Sequence, residues 1–205
     1  MALANYGDLK TAVANFLNKT NLTTYIPDLI ALGEARVYRE LRIRTMETAL
    51  NLPIASGVIA IPSAYVELKH AYVDGSPVQI LTRKSAAWIH ENYPTRSSDG
   101  KPKFIASDSG NFIFGPYPDS TYTVKGTYYQ RLTALSDSNT TNWFTTNAPG
   151  ILLFAALSET EAFVKNDPRI ELWQAKYELE KDGIEREDRN EQFSGSPLTM
   201  SVSGA

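Results

Sequence analysis

The chain contains no cysteine among its 205 residues. Disulfides, thiol nucleophiles and cysteine-ligated zinc are therefore excluded together, and the usage fits a reducing cytoplasm. Histidine is nearly as scarce. Only His70 and His90 occur, and neither has a second histidine at the spacing of a helical metal pair. Long apolar runs are missing too: ILLFAAL (151–157) is the most apolar stretch and is far too short to span a bilayer. The opening MALANYGDLK has no basic region followed by an apolar run, so no signal peptide is expected. Without one, the sequons at Asn18, Asn21 and Asn139 carry no meaning. Neither sign of charge dominates. The formal net charge is -3 and the pI about 5.5, which predicts no nucleic-acid affinity from overall balance.

What is present is ordinary for a folded soluble chain: 42% hydrophobic and 11% aromatic residues. A chain of this size buries about 70% of the surface its unfolded form exposes. One compact domain, or one domain carrying a smaller insertion, follows.

The chain order reads helix, helix, β-rich middle, helix, helix, tail. Tyr6, Leu9, Val13, Phe16 and Leu17 keep the rhythm of an amphipathic helix, with Asn5 as its N-cap. Pro27 opens a second helix striped by Leu29, Ile30, Gly33, Val37 and Leu41. Its other faces are expected to carry Glu34, Arg36, Arg39, Glu40, Arg42, Arg44 and Glu47.

From Ala49 the period changes to that of strands. LNLPIASGVIAIP (50–62) reads as a hairpin, and VELKHAYVDGSPVQILT (66–82) as two strands around Asp74-Gly75. KSAAWIHENY (84–93) is a short helix ended by Pro94, and KFIASDSGNFIFGPYP (103–118) a hairpin turning near Gly110. TYTVKGTYYQRLTAL (121–135) alternates as a strand. Helix returns over 148–165, capped by Asn147, and apolar on most sides at its start as a buried helix is. Asp167-Pro168 starts the last helix, which Ile170, Trp173, Tyr177 and Ile184 stripe. The fold class expected is α+β. A helical bundle (1–48 with 147–190) carries an inserted β-rich segment (49–146), and an extended tail follows (191–205).

No catalytic set emerges. Ser98-Asp-Gly-Lys101 matches Ser-x-x-Lys but sits in a Pro/Gly loop with no activating base. Gly110 to Gly115 has the glycine spacing of a phosphate loop, but Pro116-Tyr117 follows where Lys-Ser/Thr is needed. Asp108 and Asp119 sit near turns, where Asp caps the backbone, and calcium would want denser oxygen ligands. The aromatic cluster over 111–131 reads as core and cross-strand pairs first, and as a ligand platform second. No cofactor or metal is expected.

The strongest local signal is GEARVYRELRIRTMET (33–48). Arg36, Arg39, Arg42 and Arg44 recur there, with Arg36–Glu40 and Glu40–Arg44 at i, i+4. A solvated face is one reading. An interface is the other, because arginine forks bind carboxylates or phosphates in pairs. The last residues, RNEQFSGSPLTMSVSGA, alternate Leu198, Met200 and Val202 against small polar residues. Two readings stand at this point: a frayed end, or an arm for another molecule with Phe193, Leu198, Met200 and Val202 as its apolar side chains and Ser194, Gly195 and Pro197 as its hinge.

Two stretches carry a family resemblance: "YGDLKTAVANFLNKTNLTTYIPDLIALGEARVYRELRIRTMET" and "FIFGPYPDSTYTVKGTYYQRLTALSDSNTTNWFTTNAPGILLFAALSETEAFVKNDPRIELW". In order and pattern they resemble head-to-tail adaptor (connector) proteins of short-tailed bacteriophages, over most of 5–190. The second shows a hydrophobic strand, a Pro-x-Pro turn, a Tyr-rich strand, a Thr-Asn linker and a helix opening with Asn-x-Pro. The resemblance implies a structural virion protein at the head–tail junction, made in the host cytoplasm and not an enzyme. It implies a ring, usually dodecameric, beneath the portal, which extends the DNA channel and offers a platform to tail nozzle or fibre proteins. The arginine-rich helix would then be inter-subunit or channel-facing, with non-specific contact to channel DNA, and the tail would dock on the portal. A ligand- or carbohydrate-binding β module of a tail or surface protein is the competing expectation.

Overall fold

The computed structural model describes residues 3–95, 97, 100–162 and 167–192. Helices and two sheets make a mixed α+β fold. The chain divides into two compact units: Arg44–Leu132 is one, and the residues before and after it form the other.

In the helical unit, α1 (Tyr6–Leu17) begins where expected, with the Asn5 side chain accepting the Asp8 amide. It ends at Asn18, whose N–H still bonds the Ala14 carbonyl and whose left-handed backbone (φ 50°) turns the chain out of the helix. A 3-10 turn (Thr20–Tyr25) leads into α2 (Ile26–Glu40), which carries Pro in its first turn. Within the expected helix over 148–165 the chain forms α5 (Pro149–Ser158) and a 3-10 turn (Glu159–Ala162), and a separate short helix, α4 (Trp143–Asn147), precedes them. Asn147 does not cap α5, whose N-cap position is Ala148 with no side-chain bond; Asn142 caps α4 instead, in a reciprocal capping box with Thr145. Asn147 turns its amide back to the Trp143 carbonyl. The break follows from Pro149, which disfavours helical backbone at Ala148 before it.

α5 is buried on every side, with Ile151, Leu152, Leu153, Ala155, Ala156 and Leu157 all in the core. It packs against α1, α2 and α6 (Arg169–Gln192). At the α2 contact the helices come close. A Cβ on Gly33 would stand 2.7 Å from the Ala156 amide nitrogen, so only glycine fits there.

The second unit holds two four-stranded sheets, in the orders β1-β8-β3-β4 and β2-β7-β6-β5. The strands are β1 (Glu47–Ile54), β2 (Val58–Ala60), β3 (Tyr65–Val73), β4 (Gln79–Ile80), β5 (Thr82–Arg83), β6 (Phe104–Asp108), β7 (Asn111–Gly115) and β8 (Tyr122–Gln130). One core cluster joins both sheets: Leu50, Ile54, Leu68, Val73 and Val124 from the first, with Ile105, Phe112 and Phe114 from the second. On β7 the alternation sends Ile113 the other way, onto Ile89 of α3 (Ala86–Asn92). The expected β6–β7 hairpin forms, with Ser109 and Gly110 both at positive φ as a two-residue loop requires. The hairpin expected over 50–62 does not. β1 pairs with β8 and β2 with β7, so the Gly57 turn hands the chain from one sheet to the other.

Candidate functional site

The helix expected to run through the arginine cluster stops at Glu40. Leu41 is already extended (φ -96°, ψ 143°), and Leu41 and Ile43 are both buried at a strand's spacing. Core burial of those two side chains overrides helix propensity, so Arg42 and Arg44 lie beyond α2. The helical spacing that a Glu40–Arg44 pair needs is therefore absent. Arg42 instead folds its guanidinium back to donate to the Tyr38 and Leu41 carbonyls (2.9 and 2.7 Å). A cation is favourable at a helix C-terminus. Arg44 opens a 3-10 turn (Arg44–Met46) that belongs to the β unit.

Arg36 points inward to α6. Its Nε donates to Glu40 (3.0 Å), and its Nη1 donates to Ser158 Oγ (3.0 Å) and Gln174 Oε1 (2.9 Å). The guanidinium plane lies 4.2 Å over the Tyr177 ring, where cation–π attraction adds to the bonds. Glu40 is the second hub, accepting from Arg36, the Tyr177 hydroxyl (2.9 Å) and the Lys181 ammonium (3.3 Å). Burial alone would raise the Glu40 pKa, but these three donors together hold it below the usual value. Desolvation and the neighbouring Glu40 carboxylate push the Tyr177 hydroxyl up, so it stays a donor. Arg36 and Glu40 thus tie α2 to α5 and α6 within one chain. Arg39 is exposed, and among Arg36, Arg39, Glu40, Arg42 and Arg44 it is the arginine that projects most to water, about a sixth of a turn round α2 from Arg36.

Glu34, expected on the charged outside, is only 4% exposed. Its carboxylate accepts the Leu135 amide (3.1 Å) and the Asn142 side-chain amide (3.2 Å), pinning the 133–142 loop onto α2. The Tyr38 hydroxyl is buried beside both groups without closing a well-formed hydrogen bond to either. Desolvation raises the Glu34 pKa against the pull of its donors. Lys10–Asp137 (2.6 Å) and the Tyr6 amide to the Thr140 carbonyl (2.7 Å) hold the same loop on α1. A signal for Glu34 was present in the sequence. With Ile30, Val37 and Leu41 it completes an i, i+4, i+7, i+11 row that is otherwise apolar.

With its inner faces committed, the helical unit presents two outer ones. On α2, Asp28, Leu32, Ala35 and Arg39 are exposed in one row, and on α6 so are Leu172, Lys176, Leu179, Gly183 and Glu187. Leu172 and Leu179 are 57% and 64% exposed, on a helix that is otherwise mostly charged outside.

The other sequence candidates do not converge. His70 lies exposed beside Tyr72, and His90 is 3.6 Å from Asp108. Lys101 donates to the Pro77 carbonyl (3.3 Å), while Ser98 lies outside the described residues. Gly110 is the hairpin turn, and Asp119 accepts the Tyr122 hydroxyl (2.6 Å). Phe112, Phe114 and Tyr128 are core residues, so these rings of the aromatic cluster offer no open platform. Among the described residues no three His, Asp or Glu side chains are grouped to hold a metal, and no helix is long and apolar enough to cross a membrane. The expected docking anchors Phe193, Leu198, Met200 and Val202 lie outside the described residues.

Compared with known families, the chain matches the model described as "SU10 adaptor protein" over residues 4–201. No curated protein matches it.

Proposed function

Because the chain belongs to the SU10 adaptor protein family, whose members are structural phage adaptors, we propose that it is the head-to-tail adaptor of its virion. Identical copies form a ring, a dodecamer as in the adaptors it resembles. The ring sits beneath the portal, extends the DNA channel and receives tail nozzle or fibre proteins. The family match along almost the whole chain carries this reading. Two features support it. The helices of one unit are locked together by the Arg36 and Glu40 hubs, which suits a rigid element of a ring. Leucines are left facing water on α6, which suits a protein that is a complete structure only in company.

In this role the chain performs no catalysis and needs no cofactor. DNA in the channel would meet it only through phosphate contacts to exposed cations. Residues 191–205 act as the portal-docking arm, with Phe193, Leu198, Met200 and Val202 as its anchors. Arg39 is the member of the arginine cluster that remains available to a neighbour.

Electron microscopy of the full chain mixed with purified portal tests the reading. An added ring below the portal is expected. A chain truncated after Asn190 should keep its circular dichroism spectrum and lose attachment. Portals that never gain density, at any excess of full chain, would refute the adaptor role.

A further inference from the structure

We propose that the outer faces of α2 and α6 form the seam between neighbouring copies, the α2 of one copy packing parallel on the α6 of the next. The proposal rests on the ring reading above and adds the surfaces, direction and register.

The observation that first points to it is Gly183. Glycine in a helix interior weakens the helix, and where a fold needs one, something usually stands where the side chain would go. A Cβ on Gly183 would meet nothing within 4 Å. Nothing among the described residues requires this glycine, although it sits in the middle of the exposed row that holds Leu172 and Leu179. A second chain closing on that row gives it a purpose, since small residues let two helices approach closely.

The α2 row supplies a match. From Asp28 to Ala35 is seven residues and from Ala35 to Arg39 is four. Lys176, Gly183 and Glu187 repeat the same two intervals. Laid side by side in the same direction, Asp28 meets Lys176, Ala35 sits on Gly183 and Arg39 meets Glu187. Leu32, 49% exposed, falls beside Leu179. One register therefore satisfies both ion pairs, the small-on-small contact and the apolar contact. Reversed about the same Ala35–Gly183 contact, Arg39 would fall on Leu179 and Asp28 on Asn190, and both ion pairs would be lost.

The parallel direction is also the one a ring demands. Within one copy, Arg36 bonds Gln174, and Glu40 bonds Tyr177 and Lys181, so α2 and α6 already run the same way. Rotation about a ring axis lying along the helices preserves direction. The α2 of one copy must then run parallel to the α6 of the next, in a heterologous contact that can close.

The absence of native cysteine makes the test clean. Full-length chain carrying both Ala35→Cys and Gly183→Cys is oxidised alone and on portal rings, then resolved on a non-reducing gel. In parallel, the parent chain is treated with a lysine-reactive crosslinker, which reports a ring whatever its seam. Disulfide ladders from the double variant support the seam, as do dimers and nothing larger from a one-to-one mixture of the single variants. An amine-crosslinked ladder without a disulfide ladder overturns the seam and leaves the ring standing. No ladder from either reagent, with or without portal, removes the ring reading and the seam with it. Gly183→Leu provides a second readout, because its side chain enters space left open in the monomer. It should leave the thermal midpoint unchanged or higher and abolish ring assembly on portals. Normal rings from this variant would refute the seam.

Discussion

Gly33 and Gly183 lie on two helices of the same unit, and replacing each by alanine should move stability in opposite directions. The intrinsic gain is the same at both sites, because alanine exceeds glycine in a helix interior by about 1 kcal/mol. At Gly183 nothing opposes it. At Gly33 the new methyl would stand 2.7 Å from the Ala156 nitrogen and 3.1 Å from the Ala155 carbonyl carbon. Those are backbone atoms of a helix buried on every side, so no flexible side chain can yield. Overpacking of this kind costs about 1–3 kcal/mol, and with rigid backbone on both sides the upper end applies. Gly33→Ala should therefore lose about 2 kcal/mol net, and Gly183→Ala should gain up to about 1 kcal/mol. At about 2–4 °C per kcal/mol, the two thermal midpoints should differ by roughly 6–12 °C. Denaturant unfolding followed by tryptophan fluorescence measures this. Of the three tryptophans, Trp143 and Trp173 lie in the helical unit and Trp88 in the β unit. A Trp88→Phe background isolates the helical transition. If Gly33→Ala proved as stable as its parent, the account of the α2–α5 contact would be wrong.

Two further outcomes are expected. Glu34 has a raised folded-state pKa, so the native chain binds its proton more tightly than the unfolded chain does. That contribution to stability is present below the unfolded value of 4.5 and is lost as pH rises through the folded value. Glu34→Gln does not titrate, so its stability relative to the parent should climb from pH 4 to 8, and parallel pH profiles would contradict the burial argument. Glu34→Ala should cost about 1–3 kcal/mol at pH 4 by leaving the buried Leu135 amide without an acceptor, and that cost should shrink toward pH 8 because this variant does not titrate either. In the β unit, Gly126→Ala would drive a Cβ into the His70 carbonyl across the β3–β8 pair. The β-sheet circular dichroism signal should collapse, and a native spectrum from this variant would refute the pairing.

Much of the fold was legible in sequence because its signals are local. The Asn5 cap, the Asp167-Pro168 restart and the Ser109-Gly110 turn each depend on backbone groups within four residues, and each stands where expected. The apolar stripes that faced Leu29, Val37, Trp173 and Tyr177 inward were equally local. The family resemblance, too, was a matter of residue order.

What tertiary structure alone decided concerns partners far apart in the chain. β1 and β2 are neighbours in sequence but join different sheets, pairing with β8 and β7, strands that the chain reaches more than fifty residues later, while Leu50, Ile54 and Ile59 still meet in one core. α2 ends at Glu40 because Leu41 and Ile43 both reach the core in extended backbone, which a charge-rich helical pattern does not foretell. A glutamate read as surface became the buried anchor of a loop about a hundred residues away. The arginine cluster split into an internal lock at Arg36, a helix-end donor at Arg42 and one outward cation at Arg39. Sequence fixes which groups can hydrogen-bond or ionise and at what spacing. Which of them lose their water depends on every other element packed around them, and that loss is settled only when the whole core closes.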